Sequence, residues 1–146
     1  MQNIILLHAV SCFFLTGLIW TIQLLHYPSF KWIQKENFSA FTQFHSLRVS
    51  IVVIPFMITE LITGGILLMM PAPLLTSRSV LMLNLAGVFV IWLSTFLLSV
   101  PCHSKLGKGF SGKAISRLVV TNWPRTVIWT LRSVLWFWII KGSLLA

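Results

Sequence analysis

The chain has 146 residues, 57% of them hydrophobic and only 9% charged, with a mean hydropathy of +0.91. A soluble domain carries about 25% charged residues, so this composition places the chain in a bilayer rather than in water. The net charge of +9 comes from eleven Lys and Arg against two acids. Most of those bases fall in two connecting segments, where membrane orientation and anionic lipid account for them and no nucleic-acid partner is needed.

Four apolar stretches, Ile4–Leu25, Leu47–Met70, Val80–Val100 and Trp123–Ile140, each approach the ~20 residues that a spanning helix needs. No strand alternation competes with them. They predict an all-α fold in one domain, residues 1–146, built as a four-helix transmembrane bundle with up-down-up-down topology.

The first stretch lacks a basic leader and is too long for the apolar part of a signal peptide, so it is expected to be retained. It runs to Gln23, His26 and Tyr27, and Pro28 is expected to stop it. Phe30, Trp32, Ile33, Phe38, Phe41 and Phe44 follow among Lys31, Lys35 and Glu36. That mixture predicts a short amphipathic interfacial helix between helices 1 and 2.

The second stretch begins near His45-Ser46-Leu47-Arg48, is kinked at Pro55, carries Glu60 inside, and ends at Met70-Pro71-Ala72-Pro73. The third carries Asn84 and closes at Pro101-Cys102-His103, with Trp92, Thr95, Ser99 and His103 on one stripe. Cys12 and Cys102 lie at different depths, so no disulfide is expected.

Ser111 is expected to cap a short helix through Val120, and Asn122 to cap the last spanning helix, with Pro124 in its first turn. That helix carries Arg125 and Arg132, seven residues and about two turns apart, on one stripe with Asn122, Trp129 and Trp136.

Counting bases gives the orientation. Lys31, Lys35, Arg48, Lys105, Lys108, Lys113, Arg117 and Arg125 lie toward one side, and Arg78 and Lys141 toward the other. The positive-inside rule puts the first and third connections in the cytoplasm. The expected location is the bacterial cytoplasmic (inner) membrane, multi-pass, with both termini outside.

This topology brings His26, His45 and His103, from three helices, to one depth together with Asn122 and Arg125. At 1.5 Å per residue, Glu60 and Arg132 both fall near the midplane, within about one turn of each other. A lone charge there costs on the order of 3 kcal/mol or more, so the two are expected to pair. His8 lies toward the opposite side and is left out of the site. Residues 107–113 spell the G-x-x-x-x-G-K spacing of a phosphate loop, but Ala114 replaces the metal-binding hydroxyl and no strand precedes it. Nucleotide hydrolysis is therefore not expected.

Two phrases, Phe14-Leu15-Thr16-Gly17-Leu18-Ile19-Trp20 running to His26-Tyr27-Pro28, and Thr121-Asn122-Trp123-Pro124-Arg125-Thr126, resemble a group of small bacterial four-helix membrane proteins without an assigned function. In layout the chain also resembles the small membrane protoporphyrinogen IX oxidase family, through Ile54-Pro55-Phe56-Met57 with Gly64-Gly65 and through Asn122-Trp123-Pro124-Arg125-Thr126. It departs from that family where Arg125 interrupts the last motif and where no lysine follows Pro55 within helix two. The resemblance implies haem, with His26 as an axial ligand.

Two functions follow as expectations, beside a third reading as a purely structural subunit. One is a membrane-bound oxidoreductase using a transition metal or haem. Its metal ligands would be His26, His45 and His103, its cofactor-binding residues His26 and Asn122, and its catalytic groups Glu60, Arg125 and Arg132. The other is a binding or transport protein in which the arginines hold an anionic lipid or small metabolite without redox chemistry. Four helices enclose little space, so a pore would require a homo-oligomer.

Overall fold

The computed structural model describes residues 2–70 and 76–144. Among these residues the chain is all-helical, with no strand, and runs as four helical rods. We designate them α1 (Gln2–Trp32), α2 (Phe38–Met69), α3 (Arg78–Leu106) and α4 (Gly112–Leu144). The expected stop at Pro71-Ala72-Pro73 lies outside the described residues. Each rod packs on those next to it in the chain, and α4 closes the ring against α1.

α1, α2 and α3 are long and apolar enough to cross a membrane. The sequence reading expected four such spans. Among the described residues α4 is not a fourth by that measure, because Asn122, Arg125, Thr126 and Arg132 occupy its inner stripe, all of them buried. The outer faces reverse the pattern of a soluble protein. Leu25, Leu83 and Leu131 are 71%, 70% and 64% exposed, while His8, Glu60 and Asn122 are buried.

Pro28 does not stop α1. The helix widens into a π turn at Ile22–His26, and the Tyr27 N–H reaches back to the Ile22 carbonyl. α3 repeats the device, with a π turn at Thr95–Ser99 and the Val100 N–H bonded to the Thr95 carbonyl. In both rods a proline, Pro28 or Pro101, follows the residue that makes this wide bond. A proline ring in a regular helix collides with the carbonyl four residues back and donates no hydrogen bond. The π turn gives the ring room and the helix continues.

Two further expectations change for physical reasons. No separate interfacial helix stands between α1 and α2. Phe30 and Phe38 turn inward instead, both 0% exposed, with ring centroids 6.3 Å apart and edge to face. Burying that pair lets α1 run on to Trp32 and α2 start at Phe38, leaving only residues 33–37 as a turn. Likewise α4 is one helix of 33 residues with Pro124 inside it, and Asn122 caps nothing. Ser111 does cap this rod, its Oγ accepting from the Ala114 N–H at 3.3 Å. Gly109 in the α3–α4 turn has φ +144°, a conformation suited to glycine, so the phosphate-loop spacing is an ordinary interhelical turn.

Two glycines let the rods approach. A Cβ on Gly87 of α3 would stand 2.9 Å from the Arg132 Cδ. A Cβ on Gly64 of α2 would stand 3.2 Å from Leu85 Cδ1 and 3.3 Å from the His8 ring. Small residues at helix crossings serve this purpose in membranes. Gly87→Ala is expected to lower the melting temperature in detergent, at a cost of about 1–3 kcal/mol for forcing atoms into a filled interior. Gly65→Ala meets nothing within 4 Å and is expected to be neutral or stabilising, by up to ~1 kcal/mol. Thermal unfolding of both variants checks this, and equal melting temperatures would overturn the packing account.

Candidate functional site

The interior carries two polar layers. The first joins all four rods around Arg132, which is 4% exposed. Arg132 Nη1 faces Glu60 Oε1 at 2.8 Å. Its Nε–H donates to Asn84 Oδ1 at 3.0 Å and its Nη2–H to His8 Nε2 at 3.2 Å. Asn84 Nδ2 also donates to His8 Nε2, at 3.0 Å. Two donors on that nitrogen place the ring proton on Nδ1, which donates to Thr63 Oγ1 at 2.7 Å. Trp129 Nε1–H donates to Glu60 Oε2 at 3.0 Å, and Trp136 Nε1–H to Asn84 Oδ1 at 3.1 Å.

His8 therefore stands at the centre of this layer, although the sequence reading set it aside. Depth counting could have found it, because an early position on α1 and a late position on α2 share a level when those rods run in opposite directions.

The second layer is organised by the π turns. Gln23, within the α1 π turn, accepts from Asn122 Nδ2 through its Oε1 at 2.7 Å and donates from Nε2 to the Val119 carbonyl at 3.2 Å. Thr95, which opens the α3 π turn, accepts from Arg125 Nη1 through Oγ1 at 3.4 Å. Arg125 Nη2 donates to Asn122 Oδ1. The two prolines thus act on the site at one remove: they call for wide turns, and those turns present Gln23 and Thr95 to α4.

The three histidines meet beside this layer. His26 Nε2 and His45 Nδ1 are 2.6 Å apart. His103 Nε2 bonds the Tyr27 hydroxyl at 3.1 Å, and its Nδ1 bonds Ser46 Oγ at 3.3 Å. The His45 and His103 ring centroids lie 5.7 Å apart. Phe30 stands edge-on to His45 at 5.2 Å.

Nothing in this arrangement supports the metal and haem expectation. Two nitrogens at zinc-like bond lengths on one tetrahedral ion sit about 3.3 Å apart, whereas His26 and His45 bond each other directly. Both nitrogens of His103 have protein partners. Among the described residues no group of three His, Cys, Asp or Glu side chains is arranged to hold a metal. Asn122, 0% exposed, gives its amide to Gln23 and Arg125. Cys12 and Cys102 are free and buried.

Of the three catalytic candidates, Glu60 and Arg132 are enclosed in the first layer, and Arg125 stands apart from them in the second. Arg125 lines a cavity of about 670 Å³ bounded by α1, α2, α3 and α4, within the size range of small-molecule sites. His45, Ser46, His103, Trp92 and Trp129 share its wall. Outside the Glu60–Arg132 pair, the buried side-chain atoms without a hydrogen-bond partner among the described residues are His45 Nε2, Trp92 Nε1, Ser94 Oγ, Ser99 Oγ and Arg125 Nε. All of these except Ser94 belong to residues lining that one cavity.

Comparisons with protein-family models, curated proteins and solved structures return no match.

Arg132→Ala leaves Glu60 as an unpaired buried charge and is expected to cost about 3–5 kcal/mol. Glu60→Gln in that background is expected to recover part of the loss. Thermal unfolding of the single and double variants in detergent tests the pair, and an Arg132→Ala protein that melts like the parent would refute it.

Proposed function

We propose that this is a membrane-embedded binding protein whose cavity takes a ligand bearing an oxyanion, held at Arg125. The carrying observation is a buried guanidinium with an unpartnered Nε on a cavity wall, in a chain that has no acid left for it. The sequence contains two acids, Glu36 and Glu60. Glu60 is taken by Arg132, and Glu36 lies exposed in the turn between α1 and α2. A buried charge without a counter-charge is costly. A carboxylate or phosphate from outside the chain would supply one, and the planar fork of arginine suits either group.

The neighbouring unpartnered groups support the same reading. Trp92 Nε1–H and Arg125 Nε–H are donors, and Ser99 Oγ and His45 Nε2 can donate. Of the two functions expected from the sequence, binding without redox chemistry is the one this wall supports.

The arrangement in the membrane completes the proposal. Early α1 residues meet late α2 residues, as in His8 with Thr63, and late α1 residues meet early α2 residues, as in His26 with His45. That pattern fits an up-down-up-down bundle of four passes. α4 would cross with its polar stripe shielded by the other three rods. The excess of Lys and Arg at the end that holds the histidines puts that end in the cytoplasm of a bacterial inner membrane, with both termini outside.

The test is mass spectrometry of small anions extracted from detergent-purified protein. The parent is expected to carry an anionic species that Arg125→Ala loses and Arg125→Lys retains in part. Arg117→Ala, which removes an exposed cation of the same rod, is expected to retain it. A hydrogen bond to a charged group contributes about 1.5–3 kcal/mol, so affinity should fall by about tenfold or more in Arg125→Ala. Equal anion in the parent and Arg125→Ala would refute the assignment, as would a parent protein that binds no anion.

A further inference from the structure

The exposed residues that line the cavity fall into two groups. One, at the end of the bundle, is Gln43, Ser104 and Lys108, all polar. The other, an apolar rim, is Ile54 of α2 with Phe96 and Val100 of α3, which are 46%, 58% and 50% exposed. α2 and α3 are tied together on either side of this rim. Thr42 Oγ1 and Gln43 Nε2 donate to the Leu106 and Gly107 carbonyls at 3.1 Å each, and Gly64 lets Leu85 approach at the far end. Between these ties lies the Thr95–Ser99 π turn.

The walls are unlike one another. α3 presents the polar stripe Trp92, Thr95, Ser99 and His103, and α2 adds His45 and Ser46, whereas Leu15 and Ile19 of α1 and Val53 and Met57 of α2 are apolar. A free anion on Arg125 would fill a small part of about 670 Å³, a volume equal to that of roughly twenty waters at ~30 Å³ each. The rest is walled by groups that favour hydrocarbon.

Position adds a further constraint. Thr95, which accepts from Arg125, opens the α3 π turn. It stands next to Phe96 on the apolar rim. The charged anchor is therefore bonded to a residue adjacent to the apolar rim.

We propose that the occupant is a single-chain bilayer amphiphile with an oxyanion head, admitted sideways between α2 and α3, its head on Arg125 and its chain passing Ile54, Phe96 and Val100. This rests on the reading that Arg125 holds an anion, and it names the class of ligand and the route that ligand takes.

Trp92 and Trp129 line the cavity and report contact with bromine by fluorescence quenching. The experiment titrates the whole protein in detergent with brominated stearic acid and, separately, brominated lysophosphatidic acid. Acetate and inorganic phosphate serve as chainless competitors. Saturable quenching by either amphiphile is expected, weakened about tenfold or more in Arg125→Ala and not displaced by the competitors at equal concentration. A bulky maleimide on Phe96→Cys or, separately, on Val100→Cys is expected to weaken quenching by a similar factor while the melting temperature holds.

Each contrary result has a distinct meaning. Arg125-dependent binding of acetate or phosphate without amphiphile binding would overturn the amphiphile and leave the anion site standing. Amphiphile binding indifferent to Arg125 would show an adventitious greasy contact and overturn the proposal. Labelled rim variants that both bind like the parent would overturn the lateral route. Absence of any binding would overturn both readings.

Discussion

The fold depends on one buried ion pair. Glu60 and Arg132 face each other at 2.8 Å with almost no exposure, and the desolvation that each suffers is offset only while the other stays in place. The remaining hydrogens of Arg132 are met by Asn84 and His8, and the second oxygen of Glu60 by Trp129. Because these partners come from four different rods, satisfying one guanidinium fixes the depth and rotation of each rod against the others. Apolar contacts between rods surrounded by lipid are weakly selective, since lipid tails are as apolar as leucine. The polar layer supplies the selection, and Gly64 and Gly87 supply the space for it.

The second layer has different logic. Asn122 and Thr95 orient Arg125 without neutralising it. Its position follows from local chemistry two steps removed: Pro28 and Pro101 call for π turns, and the turns carry Gln23 and Thr95 to the level of Asn122 and Arg125. Wide turns of this kind are often found at functional sites. Here the physical connection is visible, since the distortion that accommodates a proline also carries Thr95, the partner of Arg125.

The sequence carried the first layer better than the second. A 1.5 Å rise and an even helix count were enough to bring Glu60 to Arg132 and to gather His26, His45 and His103. They were not enough to say that His26 and His45 bond each other directly, because depth fixes a level and says nothing of rotamers. The inward turn of Phe30 and Phe38 was hidden for a related reason: an aromatic residue beside lysines satisfies an interface and a core equally well on paper. The continuity of α1 past Pro28 and of α4 through Pro124 was missed because proline rules describe regular helices, whereas neighbouring rods and a π turn supply what the ring removes. Gly64 and Gly87 carry no signal alone, since their meaning lies in the side chain that crosses them.

The two arginines of α4 make the sharpest comparison in the molecule. They lie on one stripe, two turns apart, and both are buried. They differ in what faces them. Glu60 stands at the level of Arg132, and the chain has no second buried acid for Arg125. Moving α4 by two turns to exchange their roles would break the bonds to His8 and Asn84, so the assignment is forced. With one interior carboxylate and two interior guanidinium groups, the folded chain can neutralise only one of its arginines. The one it leaves uncompensated is the one that borders open space, and α3 lines that space with further unpartnered hydrogen-bonding groups. A core that closed around Arg125 as tightly as around Arg132 would leave its charge buried with no counter-charge from the chain.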